Sequence, residues 1–250
     1  LSDQIAHANL CGFGKSVIQA VLEGKVEQLV LVNCCDSMRR VYDIVESTGK
    51  CKFLYMLDMP HEDNDCEKVK LAQGIHRLKK AYEKFSGKTF DRSGFLNAFS
   101  HEPVDNQPYI GVLGVRVSGI LEKMIRDNIR MDVENLTCTG GRRLAVIREE
   151  LEKMEDDAMF LAYADALLSQ MPCFRMNNST RRNRLYLDPN LKGIIYHTIK
   201  FCDYYGFEYA SIKRDIKVPL LKIETDFTSQ SAGQLLTRVQ AFAECPARPV

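Results

Sequence analysis

Two adjacent cysteines, Cys34 and Cys35, lie where the chain changes its period. Before them, Gln28 to Val32 is an apolar run rich in Leu and Val that reads as a buried strand. After them, Met38-Arg39-Arg40-Val41-Tyr42-Asp43-Ile44-Val45-Glu46 has helical spacing. The thiols therefore sit on a strand-to-helix turn. In an open α/β sheet that turn lies at the carboxyl edge, where ligands bind. A thiolate there gains from the positive end of the following helix. Taken alone, the pair reads first as buried, inert thiols.

The same placement recurs. Met131 to Leu136 reads as a strand running into Thr137-Cys138-Thr139-Gly140-Gly141, and Gly193 to Thr198 as a strand leading into Lys200-Phe201-Cys202-Asp203. Cys35, Cys138 and Cys202 thus each stand at the carboxyl edge of an expected strand, and parallel sheets bring such edges to one side. Thiolate clusters suit zinc or iron–sulfur chemistry. No paired C-x2-C knuckle announces structural zinc, and the ferredoxin spacing C-x2-C-x2-C is absent too. What remains is a cluster gathered from separated loops, with a thiol-filled core as the alternative. Cys11 is expected at the start of a helix, and Cys173 in the loop Met171 to Met176. Cys51, Cys66 and Cys245 have no such setting. His197 is a candidate proton donor or a packed core histidine. Lys200 and Arg238 could attract an anionic substrate or form structural salt bridges. Asp36 and Asp203 follow ligand candidates and could cap helices.

The chain that must position these groups has 250 residues and is 45% hydrophobic, enough for one core or two small ones. Its net charge of +1 excludes a global field for nucleic acid or anionic membrane. No apolar run spans a bilayer and no signal pattern opens the chain. Nine cysteines, an odd number, then suggest a reducing, cytoplasmic setting. Leu1 is not an initiator Met, so a fragment or processed product is expected. Strand and helix patterns alternate throughout. Further strands are expected at Lys52–Leu57, Tyr109–Gly114 and Val218–Ile223, and helices at Glu67–Phe85, about 142–154, about 156–170 and about 231–244. Ser118 is the expected cap of a helix reaching Arg130. Gly-Phe-Gly-Lys-Ser lacks both the spacing of a phosphate loop and a preceding strand. The basic run Arg181-Arg182-Asn183-Arg184 has no interleaved aromatics and is weak evidence for nucleic acid. Pro103 and Pro108 mark a boundary, giving α/β domains at 1–105 and 106–250.

Four longer motifs, in this order, carry a resemblance: NLCGFGKS at 9–16, VNCCDSMRRVYD at 32–43, YHTIKFCDYYGFEY at 196–209 and LLKIETDFTSQSAGQLLTRVQAF at 220–242. The chain resembles the 2-hydroxyacyl-CoA dehydratase family, which includes the catalytic component of 2-hydroxyglutaryl-CoA dehydratase, benzoyl-CoA reductase relatives and the double-cubane cluster proteins. The resemblance implies two flavodoxin-like, doubly wound and mostly parallel domains with a cluster site between them. It also implies iron–sulfur ligation by Cys11, Cys35 and Cys202, which leaves one iron of a 4Fe-4S cluster open as a Lewis acid. An ATP-dependent activator would donate a low-potential electron, a ketyl radical anion would form on the CoA thioester, and hydroxide would leave from the α-carbon. Partners implied are that activator and a second copy or related subunit.

The sequence departs from the dehydratase pattern in two ways. The segment that usually precedes the first cysteine is not present, so substrate-pocket residues cannot be carried over from it. Cys34, Cys138 and Cys173 are additional thiols at loop positions. They resemble the ligand-rich double-cubane branch, whose 8Fe-9S cluster serves reductases of small molecules. A non-catalytic, cluster-carrying electron-transfer subunit is a further alternative, and a zinc-bound structural protein a more distant one.

Overall fold

A computed structural model describes residues 1–97, 107–137, 140, 148–177, 179–226 and 232–244. In chain order the elements are α1 (Ser2–Ile5), α2 (Gly12–Leu22), β1 (Gln28–Asn33), α3 (Asp36–Thr48), β2 (Phe53–Asp58), α4 (Asp65–Ser86), α5 (Arg92–Asn97), β3 (Tyr109–Gly114), α6 (Gly119–Asn128), β4 (Asp132–Asn135), α7 (Arg148–Glu152) and α8 (Asp156–Ser169). A 3-10 segment (Ser179–Tyr186) follows, then β5 (Leu191–Ile199), α9 (Asp203–Ile212), β6 (Leu220–Thr225) and α10 (Ala232–Ala243).

The chain divides into two units. The first holds 1–10, 14–103 and 143–179; the second holds 11–13, 104–142 and 180–250. The expected domains, 1–105 and 106–250, differ from this division, because 143–179 returns to the first unit and three residues around Gly12 go to the second. The return has a packing cause. Leu71 and Ala72 of α4 share one buried core with Leu151 of α7 and with Met159, Phe160, Ala164 and Leu168 of α8. Phe160 meets Phe90 and Phe95 with ring centroids 5.5 and 5.9 Å apart. Burying side chains of this size stabilises by about 1.5–3 kcal/mol each. Asp156, at the start of α8, pairs with both Lys79 at 3.0 Å and Arg92 at 2.7 Å.

In the first unit β1 and β2 run parallel, in register from Gln28↔Phe53 to Asn33↔Asp58. They are joined by α3, which turns Met38, Val41 and Val45 inward on one stripe. Gly49 ends α3 and Gly87 ends α4, both in the left-handed conformation that glycine adopts without strain.

In the second unit four parallel strands lie in the order β4-β3-β5-β6. Counted from β3, that order is 2-1-3-4, as in a flavodoxin-like sheet, and the strand order reverses between β3 and β5. Every residue of β3 is buried, as the unbroken run Tyr-Ile-Gly-Val-Leu-Gly requires of a central parallel strand. Ile110, Val112 and Ile195 of the sheet share a core with Leu121 and Ile125 of α6 and Leu235, Val239 and Phe242 of α10. The Ser118 hydroxyl caps α6 by accepting from the Leu121 N–H at 3.2 Å. At the end of β3, Gly114 has φ +95°, and a Cβ there would lie 2.1 Å from the His197 carbonyl oxygen. No helix among the described residues is long and apolar enough to cross a membrane.

Candidate thiolate sites at the strand ends

In the first unit β1 ends at Asn33 and the chain turns at once, with the Cys34 N–H donating to Val32 O at 2.7 Å. Cys35 is the N-cap of α3, and its carbonyl accepts from the Met38 and Arg39 N–H groups at 3.1 and 3.3 Å. A side-chain chain closes the turn. Arg39 donates to Asn33 at 2.6 Å and to Asp36 at 2.7 Å, and Asn33 donates to Asp58 at 2.8 Å. The Cys34 thiol donates to the Cys35 sulfur, which holds the Cys35 thiol down at about 6; burial opposes this, and the Met38 and Ser37 N–H groups add to it. Cys34 is pushed far up by that same donated bond and by burial. The charge of Arg175 acts on Cys34 in the opposite sense, and that of Cys173 in the same sense. The structure therefore brings Cys173, from the segment that rejoins this unit, within electrostatic reach of the Cys34–Cys35 pair.

The Cys173 loop is strapped to the turn after β2. Arg175 donates to Pro60 O at 2.7 Å and to Met59 O at 3.5 Å, His61 Nδ1 lies 3.1 Å from Arg175 O, and the Asn177 N–H donates to His61 O at 2.8 Å. A cavity of about 290 Å³ opens beside this strap, lined by His61, Glu62, Asn64, Leu168, Met176 and Asn177 among others.

In the second unit Cys202 is the N-cap of α9, and its N–H donates to Ile199 O, the last residue of β5, at 3.0 Å. The turn is tight enough to put Phe201 at φ +64°, a left-handed conformation that costs a non-glycine residue of order 1 kcal/mol or more. Cys11 is buried and immediately precedes α2. The Gly12 N–H donates to Lys200 O at 3.4 Å, and a Cβ on Gly12 would stand 2.5 Å from Asp226 O. The Arg116 guanidinium covers the Phe13 ring at 5.4 Å. These contacts lay the backbone beside Cys11 across the carboxyl ends of β5 and β6, next to the Cys202 turn. They also explain why residues 11–13 belong to this unit.

Other expected site residues are placed as follows. His197 is fully buried, with Nδ1 3.1 Å from Val115 O and Nε2 2.8 Å from Thr225 Oγ1. Burial pushes its pKa down to about 4, outweighing the Val115 and Arg116 backbone, so the ring is neutral at pH 7 and packed inside the sheet. Lys200 pairs with Asp226 at 3.5 Å and Arg238 donates to Lys222 O at 2.7 Å. Asp36 pairs with Arg39, and Asp203 is the first residue of α9. Cys51 precedes β2 and donates to Glu27 O and Phe53 O, and Cys66 is exposed in the first turn of α4. Cys138 and Cys245 lie outside the described residues.

Two features escaped the sequence reading. Arg182, part of the basic run, is buried and forms a two-pronged pair with buried Glu208, which also accepts from Tyr186 and Tyr196. Among the described residues the Arg175 guanidinium donates to backbone carbonyls, a kind of partner that leaves no pattern in sequence.

Within either unit, among the described residues, no three His, Cys, Asp or Glu side chains converge as a ready-made metal group. The donor chemistry nevertheless suits an anionic cluster. Cys11, Cys35 and Cys202 each stand directly before a helix, on its electropositive side, and each comes at or beside a strand's carboxyl end. Fold and site together define a parallel α/β protein that presents thiols at helix-opening strand ends. A sequence model of the family described as 2-hydroxyglutaryl-CoA dehydratase, D-component, matches residues 2–103 and 104–245, and the chain belongs to that family. A relative in Escherichia coli (strain K12), named "Putative dehydratase subunit YjiM", is 28% identical over 151 residues, which are 56% of this chain and 38% of that protein. The matched stretch thus spans well under two thirds of that relative's length.

Proposed function

We propose that the chain is the iron–sulfur subunit of a 2-hydroxyacyl-CoA dehydratase-like enzyme, a lyase that eliminates water from a CoA thioester. The observation that carries the reading is the triple placement of Cys11, Cys35 and Cys202 at helix-opening positions, in a chain of this family. In this reading the three thiolates hold one 4Fe-4S cluster. When bound, the cluster supplies low-potential electron transfer and an open iron as Lewis acid. The chain's own part is to keep the sulfurs ionised and fixed. The Cys34 thiol, with the Met38 and Ser37 N–H groups, favours the ionised form of Cys35, and the Gly12–Lys200 contact ties the Cys11 turn to the Cys202 turn. The reading also includes an ATP-dependent activator as electron donor, a ketyl radical route and pairing with a second copy or related subunit.

One observation favours a second reading. Cys34 adjoins Cys35 and Cys173 lies within charge reach of it, which gives the first unit two thiols beyond Cys35, the one that the single-cubane reading takes from it. A double-cubane 8Fe-9S reductase would use them, with Cys138 as a further ligand. Anaerobic purification followed by iron and sulfide analysis tests both. About four irons per chain is expected for a single cubane and about eight for the fused pair, with Cys202→Ser losing most of the iron. A chain that binds zinc instead, or no iron at all, overturns the proposal. Water elimination from a 2-hydroxyacyl-CoA, given only the activator and this chain, would exclude a purely electron-carrying subunit.

A further inference from the structure

Two arginines are buried among the described residues, and they are compensated differently. Arg182, 2% exposed, has the Glu208 carboxylate against it. Arg175, 8% exposed, has two neutral carbonyls, Met59 O and Pro60 O, and no carboxylate among the described residues pairs with it. Desolvating a guanidinium is costly, and neutral acceptors return only part of that cost. Such a site favours an anion within reach. The register shows where one would stand. Asn33 of β1 is opposite Asp58 of β2, so Cys34 and Cys35 leave one strand end where Met59 and Pro60 leave its neighbour. Neighbouring strands lie about 4.8 Å apart. The Arg175 charge is felt at Cys34, and Cys173 is two residues away on the same loop.

We infer that Arg175 is a positioning and charge-balancing residue for an anionic group held at the Cys34–Cys35 turn. It clamps the Met59-Pro60 backbone beside the thiols and sets one fixed positive charge against them. The inference rests on the proposed function, in which that anion is the thiolate-ligated iron–sulfur cluster. A fixed cation beside a cluster favours the reduced, more negative form and so raises its reduction potential.

The test is a redox titration of the anaerobically purified holoprotein, followed by electron paramagnetic resonance, with iron counted per chain. Arg175→Gln is expected to shift the midpoint potential to more negative values, and Arg175→Lys to bring it back toward the wild type. Arg175→Met, which keeps much of the apolar stem, carries the measurement if Arg175→Gln does not fold. A role confined to clamping would lower stability without moving the potential, and lysine would not restore it. A neutral variant with wild-type iron and an unmoved potential overturns the inference and leaves the proposed function standing. A wild-type chain without iron overturns both.

Discussion

Acidification should weaken this protein through one buried ring, His197. Val115 O can only accept, so Nδ1 carries the proton, and Nε2 accepts from the Thr225 hydroxyl. Protonating Nε2 would reverse that bond, with the hydroxyl oxygen accepting, and would place a charge on a fully buried ring. The ring titrates near 6.5 when free and at about 4 in the sheet. Between those values the unfolded chain binds a proton that the folded chain refuses, so stability is complete above the upper value and falls as pH drops toward the lower. At about 1.4 kcal/mol per pH unit the full span is about 3 kcal/mol, of which about 2 kcal/mol is lost between pH 7 and pH 5. Urea denaturation under reducing conditions, followed by far-UV circular dichroism at those two pH values, measures it. His197→Asn can still donate to Val115 O but does not titrate, so it removes this one contribution and leaves the carboxylates in place. Wild type should lose about 2 kcal/mol more than the variant on acidification. Equal losses in the two chains would refute the assignment of a neutral, buried His197.

Two further outcomes follow from contacts on the page. Glu208→Gln leaves the Arg182 guanidinium buried without its counter-charge and should cost about 3–5 kcal/mol in urea midpoint analysis. Adding Arg182→Met to it should recover part of that loss, and a double variant no better than the single one would count against an electrostatic cause. Two glycines should respond in opposite directions. Gly12→Ala drives a Cβ into the Asp226 backbone and should cost about 1–3 kcal/mol. Gly206→Ala, inside α9 with nothing within 4 Å of the added carbon, should gain up to about 1 kcal/mol from helix propensity. Matching shifts for the two would contradict the close approach of the Cys11 turn to β6.

The strand-to-helix turns were legible because both periods flank them. The run Tyr109–Gly114 coincides with β3, and the helix capped by Ser118 starts where its side chain predicts, although it stops at Asn128, short of Arg130. The last strand did not fall where hydropathy alone placed it. Expected over Val218–Ile223, it spans Leu220–Thr225, because β5 extends to Ile199 and pairs Thr198 with Glu224 and Ile199 with Thr225. A parallel neighbour satisfies the backbone of two polar residues that periodicity assigns to the turn. The return of 143–179 was illegible for another reason. Nothing local in α8 says that its apolar face fits α4, and the Lys79–Asp156–Arg92 pairing joins residues more than sixty positions apart. Arg182 reads as one member of a solvated basic run until its carboxylate, 26 residues away, is found inside the fold.

The helix starts show what the cysteines displace. At α4 and α6 the cap is of the ordinary kind: Asn64 accepts from the Glu67 N–H at 3.0 Å and Ser118 from the Leu121 N–H at 3.2 Å. At α3 and α9 the cap residues are Cys35 and Cys202, so no side-chain oxygen caps either helix, and at α3 the Met38 and Ser37 N–H groups meet the Cys35 sulfur instead. An oxygen cap is worth about 1 kcal/mol, so each cysteine gives up stability that a serine of nearly the same size could supply. A core-filling role does not account for the loss, since a buried thiol could stand anywhere along the helix. A role for the sulfur would account for it: first-turn N–H groups without a capping oxygen can face a thiolate and a ligand held by it. Because α8 also starts without a side-chain cap bond, at Glu155, it is the sulfur standing at the cap in each unit, and not the missing bond alone, that supports the proposed ligation better than the number of cysteines in the chain.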